Sequence, residues 1–300
     1  MKTNYRWIMM AAFAVCCLLA YGCDFNFPQE EYVEEEDFTV DATGAAALDS
    51  DTTNGAIVLT GVDSNQVKVH SRKVVRAWTK EEAENFAPKV KIHVEREGDV
   101  VKVYSEQPKT TFKINVSVHF TIEAPKSLMA DLHSTNGKVA VSNMTNGVKA
   151  HTTNGGIELE NVDGRIEAGS TNGGLKAVIG ELKEEGEFST TNGGVNVTIS
   201  KGVAPIRVSS TNGGLTVKAL GGVASLKAST TNGGVNVTLP PDFNGQLDAS
   251  TWNGRVSCDF PIDGKVTKKS IYGKVGSGGD AKVNISSTNG SVSIKKENPA

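Results

Sequence analysis

A four-residue phrase, Thr-Asn-Gly-Gly, begins at Thr171, Thr191, Thr211 and Thr231, each twenty residues after the last. No other feature restricts the fold as much. A phrase repeated at fixed period marks a structural unit that buries its apolar face against its neighbours rather than inside one thick core. Between the phrases Val195, Val197 and Ile199 alternate with Asn196 and Thr198, and Ile206 and Val208 alternate with Arg207 and Ser209. Alternation at period two is the pattern of half-buried strands, so each unit holds two short strands and two turns.

Composition agrees with a thin repetitive core. Glycine supplies 32 of 300 residues and aromatic residues only 6%, which leaves Val, Ile, Leu and Ala to fill the interior. A chain of this length is long for one ordinary domain, but an array grows by adding units. The formal net charge is -3, with 31 basic and 34 acidic side chains, so no global positive field exists to hold a phosphate backbone and nucleic acid is set aside as a partner.

Two architectures use the Asn-Gly phrase. Placed between alternating strands it favours a type I′ hairpin, which gives an antiparallel meander. Recurring once per two-strand unit, it stacks in a parallel array in which each Asn side chain lies over the Asn of the preceding unit at about 4.8 Å and gains an amide hydrogen bond. The second explains why the residue is Asn each time. The fold adopted is all-β, a single-chain β-solenoid of about 20-residue, two-strand repeats, with the meander of Asn-Gly hairpins as the alternative. It predicts an amide ladder of Asn154, Asn172, Asn192, Asn212 and Asn232. Beside it run a hydroxyl ladder of Ser170, Thr190, Ser210 and Thr230 and an apolar one of Ile157, Leu175, Val195, Leu215, Val235 and Val256.

Residues 1–22 read as a lipoprotein signal peptide, with Lys2 and Arg6 ahead of an apolar stretch from Trp7 to Ala20. A membrane span needs roughly 20 apolar residues, so the stretch is short for one. Leu18-Leu19-Ala20-Tyr21-Gly22-Cys23 resembles a bacterial lipobox: Gly22 is the small residue before the cysteine, although Ala20 stands where leucine is usual. The resemblance implies lipidation at Cys23, a membrane anchor, and an exported lipoprotein on the periplasmic or cell-surface side. Cys16 and Cys17 leave with the leader, so Cys258 has no partner for an internal disulfide and reads as a small core residue.

Residues 23–41 are rich in Glu and Asp and have no Lys or Arg, the composition of a solvated tether. Residues 42–296 form the repeat domain. Its stretch 72–125 is less regular, with a short helix opened by the capping box Thr79-Lys80-Glu81-Glu82.

The segment His119-Phe120-Thr121-Ile122-Glu123-Ala124-Pro125, followed by serial Ser-Thr-Asn-Gly blocks, resembles the bacterial putative-adhesin family of unknown function built of β-strand repeats. It is similar also to the autotransporter-adhesin head domain. The resemblance spans Val40 to Lys296, implies a β-helix-like fold, and brings no catalytic residues.

Candidate chemistry is sparse. His133 and His151 stand three before the Asn of their blocks, with Asn143 in the equivalent slot between them, and Asp131 is the one further metal ligand nearby; no His-Glu-x-x-His or paired-cysteine spacing occurs. No metal or cofactor is called for. Glu158, Glu160, Asp163 and Glu167 lie close in sequence, but later units put Asn196, Thr198 and Lys218 in the matching slots, so no acidic cleft runs down the array. The departures from the phrase are Trp252, inserted into its block, and Tyr272, in place of Asn in the next; Arg255 and Lys274 follow each. In stacked units these four make an aromatic and basic patch for a sugar ring or an acidic polymer, or else cover the end of the array. The function read from all this is a non-enzymatic, lipid-anchored envelope protein, an adhesin or scaffold binding a protein or glycan. A carbohydrate-active β-helix enzyme and an envelope-stress regulator are the alternatives.

Overall fold

The computed structural model describes residues 30–108 and 113–297; the signal peptide, Cys23 and residues 24–29 lie outside them. The N-terminal part comprises β1 (Glu30–Asp41), β2 (Ala47–Asn54), β3 (Ile57–Val62) and β4 (Gln66–Ala77). The helix α1 (Lys80–Phe86), β5 (Lys91–Glu97), β6 (Val100–Glu106) and β7 (Asn115–Pro125) follow. Next come β8 (Met129–Asn136), β9 (Val139–Ser142), β10 (Val148–Thr152), β11 (Ile157–Ser170), β12 (Leu175–Asn192) and β13 (Val195–Lys201). The series continues with β14 (Pro205–Asn212), β15 (Leu215–Ala219), β16 (Ser225–Asn232) and β17 (Val235–Leu239). The C-terminal part holds β18 (Gly245–Thr251), β19 (Val256–Cys258), β20 (Asp263–Val266), β21 (Ser270–Val275), β22 (Ala281–Asn289) and β23 (Val292–Lys296).

The fold is all-β: these strands form one hydrogen-bonded network. It resolves into two ladders joined through the long strands β11 and β12, which belong to both. The first runs β5-β6-β2-β8-β10-β11-β12-β14-β16-β22-β18-β21-β20. The second runs β1-β4-β7-β3-β9-β11-β12-β13-β15-β17-β23-β19. Pairing between repeat units is parallel throughout, so the Asn-Gly turns do not close hairpins and the meander is not the arrangement found. Ile157 lies opposite Leu175, an offset of 18, and Leu175 opposite Val195, an offset of 20.

Alternate side chains of both ladders point into one apolar cluster, in which Ile157, Leu175, Val195, Leu215 and Val235 are at most 2% exposed. Its widest side chains, Phe120 and Phe188, are fully buried. Because each strand buries one face and wets the other, register is fixed: a slip of one residue would exchange the two.

Stacking order departs from chain order at both ends. β2 and β3 lie between β6–β7 and β8–β9, so the first unit of the chain is second in the stack. The last unit, β22–β23, inserts between β16–β17 and β18–β19. The predicted apolar ladder therefore has Val292 between Val235 and Val256. Antiparallel strands then cover three of the four ladder ends: β5 on β6, β21 and β20 on β18, and β4 and β1 on β7. The fourth ends in β19, only three residues long. Short or charged terminal strands keep an open edge from recruiting another chain.

The acidic segment is corrected on this point. Glu30 to Asp41 is not a solvated tether but the edge strand β1, paired along its length with β4. Basic residues on β4 complement it: Glu31 meets Arg76, Glu35 meets Arg72, Asp37 meets His70, and Glu34 lies 2.7 Å from the Nζ of Lys73. Lys73 is only 4% exposed and also donates to the Val90 carbonyl. Composition read alone missed the basic partner strand thirty-odd residues away, whose cross-strand pairs are the unit of sheet stability. The helix α1 carries its capping box as drawn by its chemistry: Thr79 Oγ1 accepts from Glu82 N, and Thr79 N donates to the Glu82 carboxylate.

The repeated phrase has a steric cause. A Cβ on the first Gly of each block would meet the carbonyl oxygen of the preceding unit's Gly at 1.8 Å for Gly173 and Gly213 and 2.2 Å for Gly193 and Gly233. The turns stack backbone on backbone and leave no room for a side chain. At the second Gly the nearest carbonyl is 3.3 to 3.5 Å away, and Lys138, Arg255 and Ser291 occupy that slot in other units. Gly213→Ala should thus cost roughly 2–4 kcal/mol in urea denaturation and Gly214→Ala no more than about 1 kcal/mol; equal losses would contradict this account.

The start of the array borrows a different acceptor. β7 lies beneath the first block, where Thr52 Oγ1 donates to the Val118 carbonyl and the Ala56 N–H donates to His119 Nδ1. Burial, with Arg72 and Arg76 nearby, holds the His119 imidazole below its usual pKa. A base with a depressed folded pKa contributes stability fully above its unfolded value of about 6.5, and that contribution is lost as pH falls through the folded value. Stability should drop between pH 7 and pH 5 by an amount that His119→Gln, an acceptor without this titration, reduces; chemical denaturation at the two pH values measures it.

Candidate functional site

The solvent face of the first ladder is set by the Ser/Thr-Thr-Asn-Gly turn. In each block the hydroxyl two residues before Asn turns inward and donates to the carbonyl of the first Gly in the neighbouring unit: Ser170 to Gly155, Thr190 to Gly173, Ser210 to Gly193 and Thr230 to Gly213, at 2.8 to 2.9 Å. These carbonyls lie partly buried between stacked turns, where an unpaired acceptor costs up to about 1–3 kcal/mol. The Asn side chains form the second row. Asn136, Asn154, Asn172, Asn192, Asn212 and Asn232 each donate Nδ2 to the Oδ1 of the Asn before it in the stack, starting from Asn54, at 2.6 to 2.8 Å. Asn289 then bonds Asn232, and Asn253 bonds Asn289. Among the residues read from sequence, the five ladder asparagines are thus brought together in one continuous chain.

Between these rows and the strand starts lies a polar face. Its middle row runs His93, Tyr104, Asp51, His133, His151, Gly169, Ser189, Ser209 and Ser229. A groove of about 530 Å³ is lined by Asp49, Asp51, Thr53, Lys102, Tyr104, Ser105, Asp131 and His133. A second, of about 590 Å³, shares Asp51 and His133 with it and continues past His151 and Gly169 to Ser189 and Thr191. A side chain at Gly169 would meet the His151 ring at 2.9 Å, so the glycine makes room for that imidazole.

His133 and His151 are on directly paired strands, their rings stacked at 5.4 Å; Asn143 is not between them but at another turn, bonded to Asn161. Asp131 holds His133 Nε2 at 2.9 Å. No group of three or more His, Cys, Asp or Glu among the described residues is spaced to hold a metal. Burial, and the charge of Asp131 beside it, raise the pKa of Asp49.

The acidic cluster of the sequence is dispersed by the fold. Glu158 lies on the second ladder, where Lys138 and Lys176 bind its carboxylate and hold its pKa below the usual range. Asp163 accepts from the Glu181 N–H, and Glu167 is on the first ladder near His151. A carboxylate held ionised by two lysines is a poor general acid at neutral pH. Cys258, half-buried on β19, has its thiol pKa pushed up by burial, the opposite of an activated nucleophile.

Trp252, Arg255, Tyr272 and Lys274 do not take the matched positions read for them. Trp252 sits in a ladder turn and is 75% exposed, with its carbonyl accepting from Lys269 Nζ at 2.6 Å. Tyr272 is not at an Asn rung. It lies mid-strand in β21, which runs antiparallel to β18, so Tyr272 faces Asp248 and Lys274 faces Gln246. Gln246 Nε2 donates to the Tyr272 hydroxyl. Asp248 is four residues before Trp252, which puts Tyr272 about 13 Å from it along the strand at roughly 3.3 Å per residue. The reversed direction of β21 could not be read from the spacing of the block.

The model of a family described as a domain of unknown function, DUF7330, matches residues 109–299, and the chain belongs to that family. No curated protein matches. Among solved structures, a putative adhesin from Parabacteroides merdae ATCC 43184 is 14% identical and aligns over 88% of this chain and 96% of its own, with a TM-score of 0.49. A putative adhesin from Bacteroides fragilis NCTC 9343 is 14% identical over 89% of this chain and 99% of its own, with a TM-score of 0.42. A putative lipid binding protein from Parabacteroides distasonis ATCC 8503 is 13% identical over 87% of this chain and 96% of its own, with a TM-score of 0.34. None of these three is described as an autotransporter head domain.

Asn192→Asp tests the amide ladder. The variant retains an acceptor for Asn212 but loses the donor to Asn172 and opposes two oxygens. A loss of about 1–3 kcal/mol is expected near pH 7, partly recovered in acid once the carboxyl again carries a proton to donate; thermal melts at the two pH values read both.

Proposed function

We propose that this protein is a non-enzymatic, lipid-anchored envelope protein: a rigid β-solenoid that presents its polar first ladder to a protein or glycan, as an adhesin or interaction scaffold. The observation that carries the reading is the uninterrupted amide ladder from Asn54 to Asn253, which fixes side chains on successive units in straight rows. Rows of Thr, Ser and His at regular spacing suit an extended, repetitive partner. A wet, polar groove offers directional hydrogen bonds rather than a large apolar anchor.

The anchor rests on the lipobox-like end of the leader and Cys23. No helix among the described residues is long and apolar enough to cross a membrane; membrane attachment in this reading is lipid at Cys23. In this reading six residues of sequence separate Cys23 from the edge strand β1, so the repeat domain stands close to the membrane. The exposed Trp252, with Arg255, and the more distant Tyr272 and Lys274 form a secondary candidate contact at the far end of the stack.

Globomycin treatment or Cys23→Ala should leave a larger, unprocessed chain and shift the mature form out of the membrane fraction, as read by immunoblot of fractionated cells. Unchanged processing and partitioning would remove the anchor from the proposal. Pull-down from envelopes with the repeat domain should retain a protein or glycan; a domain that retains neither argues against the binding role.

A further inference from the structure

The middle row of the first ladder's outer face places His93, Tyr104, Asp51, His133 and His151 on five consecutive strands. Side chains in one row repeat at the strand spacing, about 4.8 Å, and the rings use that spacing. The centroids of His93 and Tyr104 are 4.7 Å apart with ring planes within 10°, and those of His133 and His151 are 5.4 Å apart within 14°. Asp51 is the member of the row without a ring. Tyr104 and His133 therefore flank it two strand spacings apart, roughly 9.6 Å, and the row is a ring stack with one ring missing.

The gap has a definite thickness. Removing about 3.5 Å for the facing half-thicknesses of the two rings leaves roughly 6 Å. A flat aromatic ligand about 3.5 Å thick would rattle in this space, whereas the puckered ring of a sugar, with its axial hydrogens, is thick enough to touch both walls through C–H groups. The floor supplies the complementary polarity. Asp51 stands in the gap, and the pair Asp49 and Asp131 lies in the next row, two residues along the strands, with Lys102 opposite Asp49; all four line the same 530 Å³ groove. Carboxylates accept strongly from hydroxyl or ammonium groups. Three of them against one lysine repel a ligand that carries its own carboxylate. The raised pKa of Asp49 reflects the same crowding and partial burial.

We propose that the slot between Tyr104 and His133, floored by Asp51, binds one ring of a non-acidic saccharide, neutral or amino-bearing. This deepens the binding role proposed above by assigning it a site and a ligand class. It also places recognition toward the N-terminal end of the stack, on residues from three units that are distant in sequence, and away from Trp252.

The test titrates the full chain, purified in detergent, with labelled cellohexaose, chitohexaose, deacetylated chitohexaose, mannohexaose and hexagalacturonate. At least one of the first four should bind and hexagalacturonate should not. Asp51→Phe supplies the missing ring and closes the slot; Tyr104→Ala removes one wall. Each should weaken binding at least tenfold, with circular dichroism and melting temperature showing that Asp51→Phe stays folded. Lys218→Ala, exposed on β15 of the second ladder, should leave the affinity unchanged. Failure of all four non-acidic oligosaccharides, preference for hexagalacturonate, or full affinity in a folded Asp51→Phe chain overturns the proposal. Loss of binding in Trp252→Ala with none in Asp51→Phe moves the site to the other end of the stack, and overturns the slot while leaving the scaffold reading in place.

Discussion

The structure depends on how closely one turn can lie on the next. Parallel strands at ladder spacing require the turns between them to stack as tightly as the strands do, and at the first Gly of each block this brings a backbone carbonyl to within 1.8 to 2.2 Å of where a Cβ would be. The glycine makes the approach possible, but it also buries a carbonyl between units. The Ser or Thr three residues before that glycine answers by donating its hydroxyl to the carbonyl, and the Asn between them links its amide to the next Asn. Each residue of the phrase thus solves a problem created by another, which is why the whole phrase repeats rather than any single residue of it.

Given that constraint, the rest of each unit is free to vary where it faces water. The second glycine position tolerates Lys, Arg or Ser because the nearest carbonyl is more than an ångström further off. The outer rows pass from Asp, His and Tyr near the N-terminal end to Ser along the middle. A rigid stack turns this drift in sequence into a face whose chemistry changes along its length while its geometry stays fixed. The stacked rings of His93 with Tyr104 and His133 with His151 exist because strand spacing and ring-stacking distance nearly coincide.

The ends of such a stack are exposed ladder edges, and they are covered from within the chain. Antiparallel strands close the first ladder at both ends and the second at its N-terminal end. The acidic β1 is the outermost of these, held to β4 by complementary charge and facing solvent with carboxylates that discourage a further strand. The same residues that look like a disordered run in isolation are a covered edge in context, because their basic partners come from another strand.

The all-β class, the two-strand unit, the Asn and Ser/Thr rows, the capping box at Thr79 and the thin aliphatic core were legible in the sequence, since each follows from local periodicity or from a turn whose chemistry is contained in four or five residues. What the sequence did not disclose was the order of the units. The first and last blocks look like any others, yet β2–β3 and β22–β23 are inserted one place inward, because only the assembled stack decides which faces are interior and which must be capped. That reordering is what sets Asp51 between Tyr104 and His133, residues more than fifty and eighty positions away in the chain. β21 runs antiparallel to β18, so Tyr272 leaves the rung its spacing suggested. Local pattern determined the rungs; long-range pairing, which no local pattern encodes, decided their sequence and so the neighbours that make a site.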